Sequence, residues 1–190
     1  GLEGASMYEM VRVGKMGFFG EVIEIRGGRF SIQVYEETGG IGPGEPVVST
    51  GAPLTVELGP GLLTSIFDGV QRPLDRLRAE FGDFVVRGAE APALDRKKRW
   101  RFAPCVKTGD RVSAGDILGV IPETPIIEHR VMLPHGMEGT VEKIAEGDLT
   151  LDDAVAVVAT KDGSREVPLR QRWPVRTPRP YRQRDHAVLP

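Results

Sequence analysis

No segment of this chain runs far before a glycine or a proline cuts it. Its 190 residues include 24 glycines and 15 prolines, spread as single punctuation marks between short apolar runs. That spacing suits strands and tight turns and leaves little room for long helices, so the chain reads as mainly β. An apolar fraction of 40% and a charged fraction of 27% are those of an ordinary globular protein, which argues against disorder.

The strand signal is plainest over residues 20–37, GEVIEIRGGRFSIQVYEE. Val22, Ile23 and Ile25 precede Gly27-Gly28, and Phe30, Ile32 and Val34 follow. This predicts a hairpin with period-two burial on both arms and a glycine pair at the turn. EPVVST (45–50) and PLTVEL (53–58) supply two further strands, and four short strands with tight turns suit a small closed or nearly closed barrel.

The stretch GPGLLTSIFDGVQRPL (59–74) breaks the pattern. Leu63, Ile66, Phe67 and Val70 recur at helical spacing, which predicts a short helix from Gly61 to Gln71. A second helix is expected with Pro73 at its first position, Leu74, Leu77 and Phe81 on one face, and Gly82 as the stop. Two short helices joined at a proline would make a rigid elbow.

Beyond it the chain repeats itself. VKTGDRVSAGDILGVI from Val106 and IAEGDLTLDDAVAVV from Ile144 align at an offset of 38 residues, which superposes Gly109-Asp110 on Gly147-Asp148, Ile117 on Val155 and Val120 on Val158. Neither half could hide its apolar face alone, so the two should pack face to face as a barrel-sandwich hybrid. The expected organisation is a partial β-barrel over 1–58, a helical elbow over 59–89, the barrel-sandwich hybrid over 90–170, and a Pro- and Arg-rich extended connector over 171–190.

Catalytic patterns are missing. The one Gly-Lys pair, Gly14-Lys15, is followed by Met16 and has Glu9 at the first glycine position, so no phosphate-binding P-loop is present. His129, His135 and His186 do not have zinc-motif spacing. Glu128-His129 and Cys105 could meet in space, although exposed polar residues on a hairpin are the simpler reading. Asp152-Asp153 read as solvated carboxylates beside a turn. No catalytic, cofactor-binding or metal-binding residue is assigned.

DRKKRW (95–100) and Arg170, Arg172, Arg176, Arg179, Arg182 and Arg184 could meet phosphates, with Trp100, Trp173 and Tyr181 free to stack. A net charge of −2 gives no global attraction to nucleic acid, and arginines on a connector more often pair with carboxylates of a neighbouring domain or protomer. No nucleic-acid partner is expected. No apolar run is long enough to cross a bilayer as a helix, so direct membrane insertion is not expected either.

Two resemblances follow from these motifs. Residues 106–123 and 128–148, with a Gly-Asp turn in each half and a Pro-Gly hairpin segment between them, resemble biotinyl and lipoyl carrier domains. Those domains acylate a lysine at a hairpin tip. Here Pro125 and Ile126 stand at that place, and the nearest lysine, Lys143, lies in the following strand. A carrier or adaptor domain without catalytic activity is the alternative function.

More specifically, residues 17–74, ALDRKKRWRFAPCVKTGDRV (93–112) and WPVRTPRP (173–180) resemble the catalytic A subunit of rotary V-type and archaeal-type ATPases, in collinear order over residues 7–183. The resemblance implies an N-terminal barrel and an inserted bulge domain, with the nucleotide-binding domain beyond Pro190 and a first barrel strand before Met7. The chain is therefore expected to be a fragment. The parent subunit is expected to bind Mg-ATP and to couple its hydrolysis or synthesis to proton or sodium transport. The fragment itself is expected to hold no cofactor and to catalyse nothing. Expected partners are B subunits in an alternating ring and, through the inserted domain, the peripheral stalk. The expected location is cytoplasmic, at the membrane periphery.

Overall fold

The computed structural model describes residues 2–63, 65–84, 86–89 and 91–180. Tyr181, Arg182, Arg184 and His186 lie outside the described residues.

Strands β1 (Glu9–Val13), β2 (Phe18–Arg26), β3 (Arg29–Val34) and β4 (Val47–Pro53) form an antiparallel sheet in the order β3-β2-β1-β4. Gly27 and Gly28, at φ 53° and 76°, close the predicted β2–β3 hairpin, with Arg26 opposite Arg29. Positive φ at both central residues gives a turn whose twist matches that of the strands. Val11, Val13, Phe18 and Val22 are buried on the inner face, with Phe30, Ile32, Val34 and Val47 packed against them. Period-two burial holds on β3 but not along all of β2. A register shift between Val22 and Glu24 leaves Ile23 unpaired, and both Ile23 and Ile25 are exposed. An extra residue on one strand re-aims the side chains that follow it.

Strand β5 (Thr55–Leu58) leads into the elbow, where the structure corrects the expected helix over 61–71. The chain there doubles back instead, with Phe67 bridged to Pro73 and the Leu74 N–H donating to the Ile66 carbonyl at 2.9 Å. The Asp68 carboxylate accepts the N–H groups of Val70 (3.0 Å) and Arg72 (2.8 Å), and Gln71 sits at φ 64°. A carboxylate that captures N–H groups just ahead of it competes with helical bonding, and a left-handed residue ends a helix. One helix remains, α1 (Leu74–Phe81), with Pro73 at its N-cap and Gly82 after its last turn. Leu77 is its buried residue, while Phe81, expected on the same face, is exposed.

The repeat becomes eight strands: β6 (Trp100–Pro104), β7 (Arg111–Ser113), β8 (Ile117–Pro122), β9 (Glu128–Met132), β10 (Glu138–Ile144), β11 (Gly147–Leu149), β12 (Ala154–Thr160) and β13 (Gly163–Pro168). They build two sheets, β11-β6-β8-β9 and β13-β12-β10-β7. Each half supplies three strands of one sheet and lends its second strand, β7 or β11, to the other. This exchange is what locks the halves together. Phe102, Leu118, Ile121, Val131, Val141, Val155 and Val158 fill the space between the sheets, each almost wholly excluded from solvent. An aspartate closes the same kind of turn in each half, with Asp116 accepting the Ser113 N–H and Asp153 the Thr150 N–H, both at 2.7 Å.

A last strand, β14 (Gln171–Pro174), pairs antiparallel with β5 and places Arg172 opposite Glu57. Residues 171–174 are thus strand rather than extended connector, because the backbone of β5 needs a partner for its ladder. The fold is mainly β with one short helix among the described residues, as the Gly/Pro spacing implied.

Candidate functional site

The polar side chains that sequence distance hides most converge where the N-terminal sheet, the elbow and the barrel-sandwich module meet. Gln71 lies alongside β5 like a short extra strand. Its amide oxygen accepts the Glu57 N–H (2.7 Å) and its amide nitrogen donates to the Glu57 carbonyl (2.8 Å). Next to it Arg72, largely buried, donates to Asp68 (2.6 Å), to the Ala89 carbonyl (3.1 Å) and to Glu36 (3.5 Å). Burial pushes the Asp68 carboxyl up, but the Arg72 N–H, its guanidinium and the Val70 N–H outweigh this and hold it below the usual carboxylate range.

The Glu57 side chain, 13% exposed, gathers two more arginines. Arg96 Nη2 reaches both its oxygens at 2.5 Å, and Arg170 Nη1 reaches Oε1 at 3.3 Å. Arg170 Nε also donates to Asp152 at 2.6 Å, so Asp152 is an ion-pair partner rather than a free solvated group. Asp153 is committed to the Thr150 turn.

A second clasp joins β2 to the residues after β14. The buried Glu21 carboxylate accepts Arg176 Nε (3.0 Å) and Nη2 (2.6 Å) in a bidentate pair, and the Tyr35 hydroxyl donates to it at 3.1 Å. The Arg176 bonds hold Glu21 below its ordinary value, with Tyr35 helping and burial opposing. Burial, and then the facing carboxylate, push the Tyr35 hydroxyl up. The guanidinium of Arg176 also lies 4.4 Å over the Tyr8 ring. On the other side, the Glu123 carboxylate at the end of the β8–β9 hairpin accepts the Gly61 N–H at 2.6 Å.

Beside the Glu57, Gln71 and Arg72 contacts lies a cleft of about 510 Å3 lined by Arg12, Arg72, Arg96, Arg172, Glu57 and Thr55, among others.

The residues weighed from sequence fall into place around this junction. Arg170 and Arg176 pair with carboxylates of the other module. Within DRKKRW, Arg96 holds Glu57, Lys98 lies 3.9 Å over Trp100, and Arg99 donates to the Asp148 carbonyl at 2.7 Å. Arg179 stacks on Trp173 at 4.4 Å, whose other neighbour is the edge of His135. His129 is half-buried, 3.7 Å from Glu123; burial lowers its pKa and Glu123 opposes the shift. Glu128 and Cys105 are exposed, and no metal-ligating group of three or more acidic, His or Cys residues forms among the described residues. Lys15 donates its N–H to Glu45, and Glu9 accepts the Ser49 hydroxyl and the Ser6 N–H. At the hairpin tip Ile126 is 91% exposed, and Lys143 points to solvent from β10.

Sequence reading missed Glu21, Glu57 and Asp68 as organisers of the junction. The available signal was an acid inside an apolar strand, as in Gly20-Glu21-Val22, where burial demands a paired cation.

No helix among the described residues is long and apolar enough to cross a membrane. Compared with known proteins, residues 2–51 match the β-barrel domain of the ATP synthase alpha/beta family, and residues 91–176 match the barrel-sandwich domain of the ATP synthase alpha/beta subunits. The whole chain is 56% identical to part of the A subunit of the A-type ATP synthase of Pyrococcus horikoshii, covering 20% of that protein. It is 57% identical to the protein of the same name from Thermococcus sibiricus, covering 33% of it. It is 54% identical to the V-type ATP synthase alpha chain of Thermoanaerobacter sp., covering 32%. The chain thus spans a fifth to a third of the length of these curated relatives.

Proposed function

Because the chain belongs to the ATP synthase alpha/beta family, with the A subunits of the A- and V-type enzymes as its relatives, we propose that it is the assembly and bracing part of such a protein. The observation that carries this reading is the collinear identity over the entire chain, through both the barrel and the barrel-sandwich domain. The parent subunit binds Mg-ATP and couples its hydrolysis or synthesis to proton or sodium transport. The barrel module contacts B subunits in the alternating ring, and the barrel-sandwich module faces the peripheral stalk. The assembly sits in the cytoplasm at the membrane periphery.

The two β-modules hold no ATP site of their own. Support comes from the sequence, where Gly14-Lys15 lacks the rest of a phosphate cradle. The clasps Glu57–Arg96–Arg170 and Glu21–Arg176 suit a brace, since they tie the two β-modules at separate points.

Native mass spectrometry of the chain mixed with its cognate B subunit tests the proposal, alongside an ATP turnover assay of the chain alone. A specific heteromeric complex and no turnover are expected. Turnover by the isolated chain, or failure to associate with the B subunit, would overturn it.

A further inference from the structure

The junction cleft carries a chemistry that the bracing role does not use. The β5–β14 ribbon turns Thr55, Glu57 and Arg172 towards it, while the alternate residues Val56 and Trp173 do not line it. Four arginines, Arg12, Arg72, Arg96 and Arg172, are among the residues that line the cleft, with Glu57 as the one lining carboxylate, and Arg72 is paired behind it with Asp68 and Glu36. That carboxylate is already neutralised by Arg96 and by Arg170 behind it.

One of the arginines, Arg172, has donors to spare. Arg96 gives Nη2 to Glu57, and its Nη1 is buried 3.8 Å from an Asp152 oxygen. The Arg172 side chain makes no hydrogen bond or ion pair among the described residues, and neither does the Thr55 hydroxyl. A guanidinium whose donors are all unspent, beside a hydroxyl, offers charge-assisted contacts to an anion with several oxygens.

From this convergence we propose that the cleft is a binding site for a phosphate-type oxyanion, held by Arg172 and Arg96 with the Thr55 hydroxyl beside them. The forked guanidinium fits the spacing of phosphate oxygens, which distinguishes such a ligand from a halide of equal charge. A cleft of about 510 Å3 has room for inorganic phosphate, pyrophosphate or a larger phosphate ester. The site stands independently of the family reading, since it rests only on charges and donors at the junction.

Calorimetric titration with inorganic phosphate and with pyrophosphate tests the site, at ionic strength held constant with sodium chloride. Saturable binding is expected, with a melting temperature that keeps rising as phosphate exceeds its Kd. Arg172→Gln alters an exposed strand residue and should fold normally, yet it should weaken binding about tenfold or more, the loss of one charge-assisted contact. Arg172→Lys should fall between the two. Arg165→Gln, on β13 and outside the cleft, should bind as the parent does. Stabilisation by phosphate no greater than by chloride, or unchanged affinity in Arg172→Gln, would overturn the proposal.

Discussion

Replacing Glu57 by alanine removes the one carboxylate on which both modules converge. Three guanidinium contacts are lost, two from Arg96 at 2.5 Å and one from Arg170 at 3.3 Å. Hydrogen bonds to charged partners contribute about 1.5–3 kcal/mol, and breaking a fully buried pair costs about 3–5 kcal/mol. The lower range applies here. Arg96 and Arg170 are 29% and 27% exposed, and both keep Asp152 as an alternative partner. The Gln71 bonds to the Glu57 backbone also survive the substitution. The expected loss is therefore about 2 kcal/mol, which lowers the melting temperature of a chain this size by roughly 4–8 °C. Urea unfolding of Glu57→Ala, Arg96→Ala and the double variant isolates the pair, and a coupling energy of about 1–2 kcal/mol is expected. The clasp would have to be dismissed as a stabilising contact if the coupling fell within about 0.3 kcal/mol of zero, the usual error of additivity.

Other expectations concern a close contact between strands, the core and acid. A Cβ on Gly139 would lie 2.0 Å from the Ala159 carbonyl oxygen, so β10 would have to leave β12; Gly139→Ala should cost more than about 3 kcal/mol in urea unfolding, and near-parental stability would contradict the close approach. Leu118→Ala empties a fully buried position between the sheets and should cost about 2–5 kcal/mol, measurable as a drop in urea midpoint with little change in slope. Glu9, Glu21 and Asp68 are all held below their ordinary values, so each binds its proton less readily in the folded state. Their stabilisation is complete above the ordinary values of 4.5 and 3.8 and is lost as pH falls through the lowered ones. Half-buried His129 adds to this in the same direction below its ordinary 6.5, because the unfolded chain takes that proton first. Melting temperatures across pH 3–8 should therefore decline only towards acid, and Glu21→Gln should flatten part of the steep region.

Much of the fold was legible where neighbours in sequence are neighbours in space. Gly27-Gly28 marked its hairpin because only a left-handed pair makes that turn, and Leu74 to Gly82 marked α1 through period and punctuation. The helix expected over 61–71 failed for a local reason that its apolar spacing masked. The Asp68 carboxylate competes for the N–H groups ahead of it. Likewise, nothing in the alternation of β2 announced the bulge at Ile23.

The sequence by itself determined that this chain is β-rich and that its second half is doubled, because turn chemistry and burial period act over a few residues. Only the tertiary structure decided which arginine meets which acid. Arg170 reaches Glu57 across 113 residues, and Arg176 reaches Glu21 across 155. It also decided that β7 and β11 change sheets, and that Arg172 and Arg96 line one cleft. Charge and hydrogen-bonding capacity are written in residue types, but their partners are set by packing, which sequence spacing does not encode.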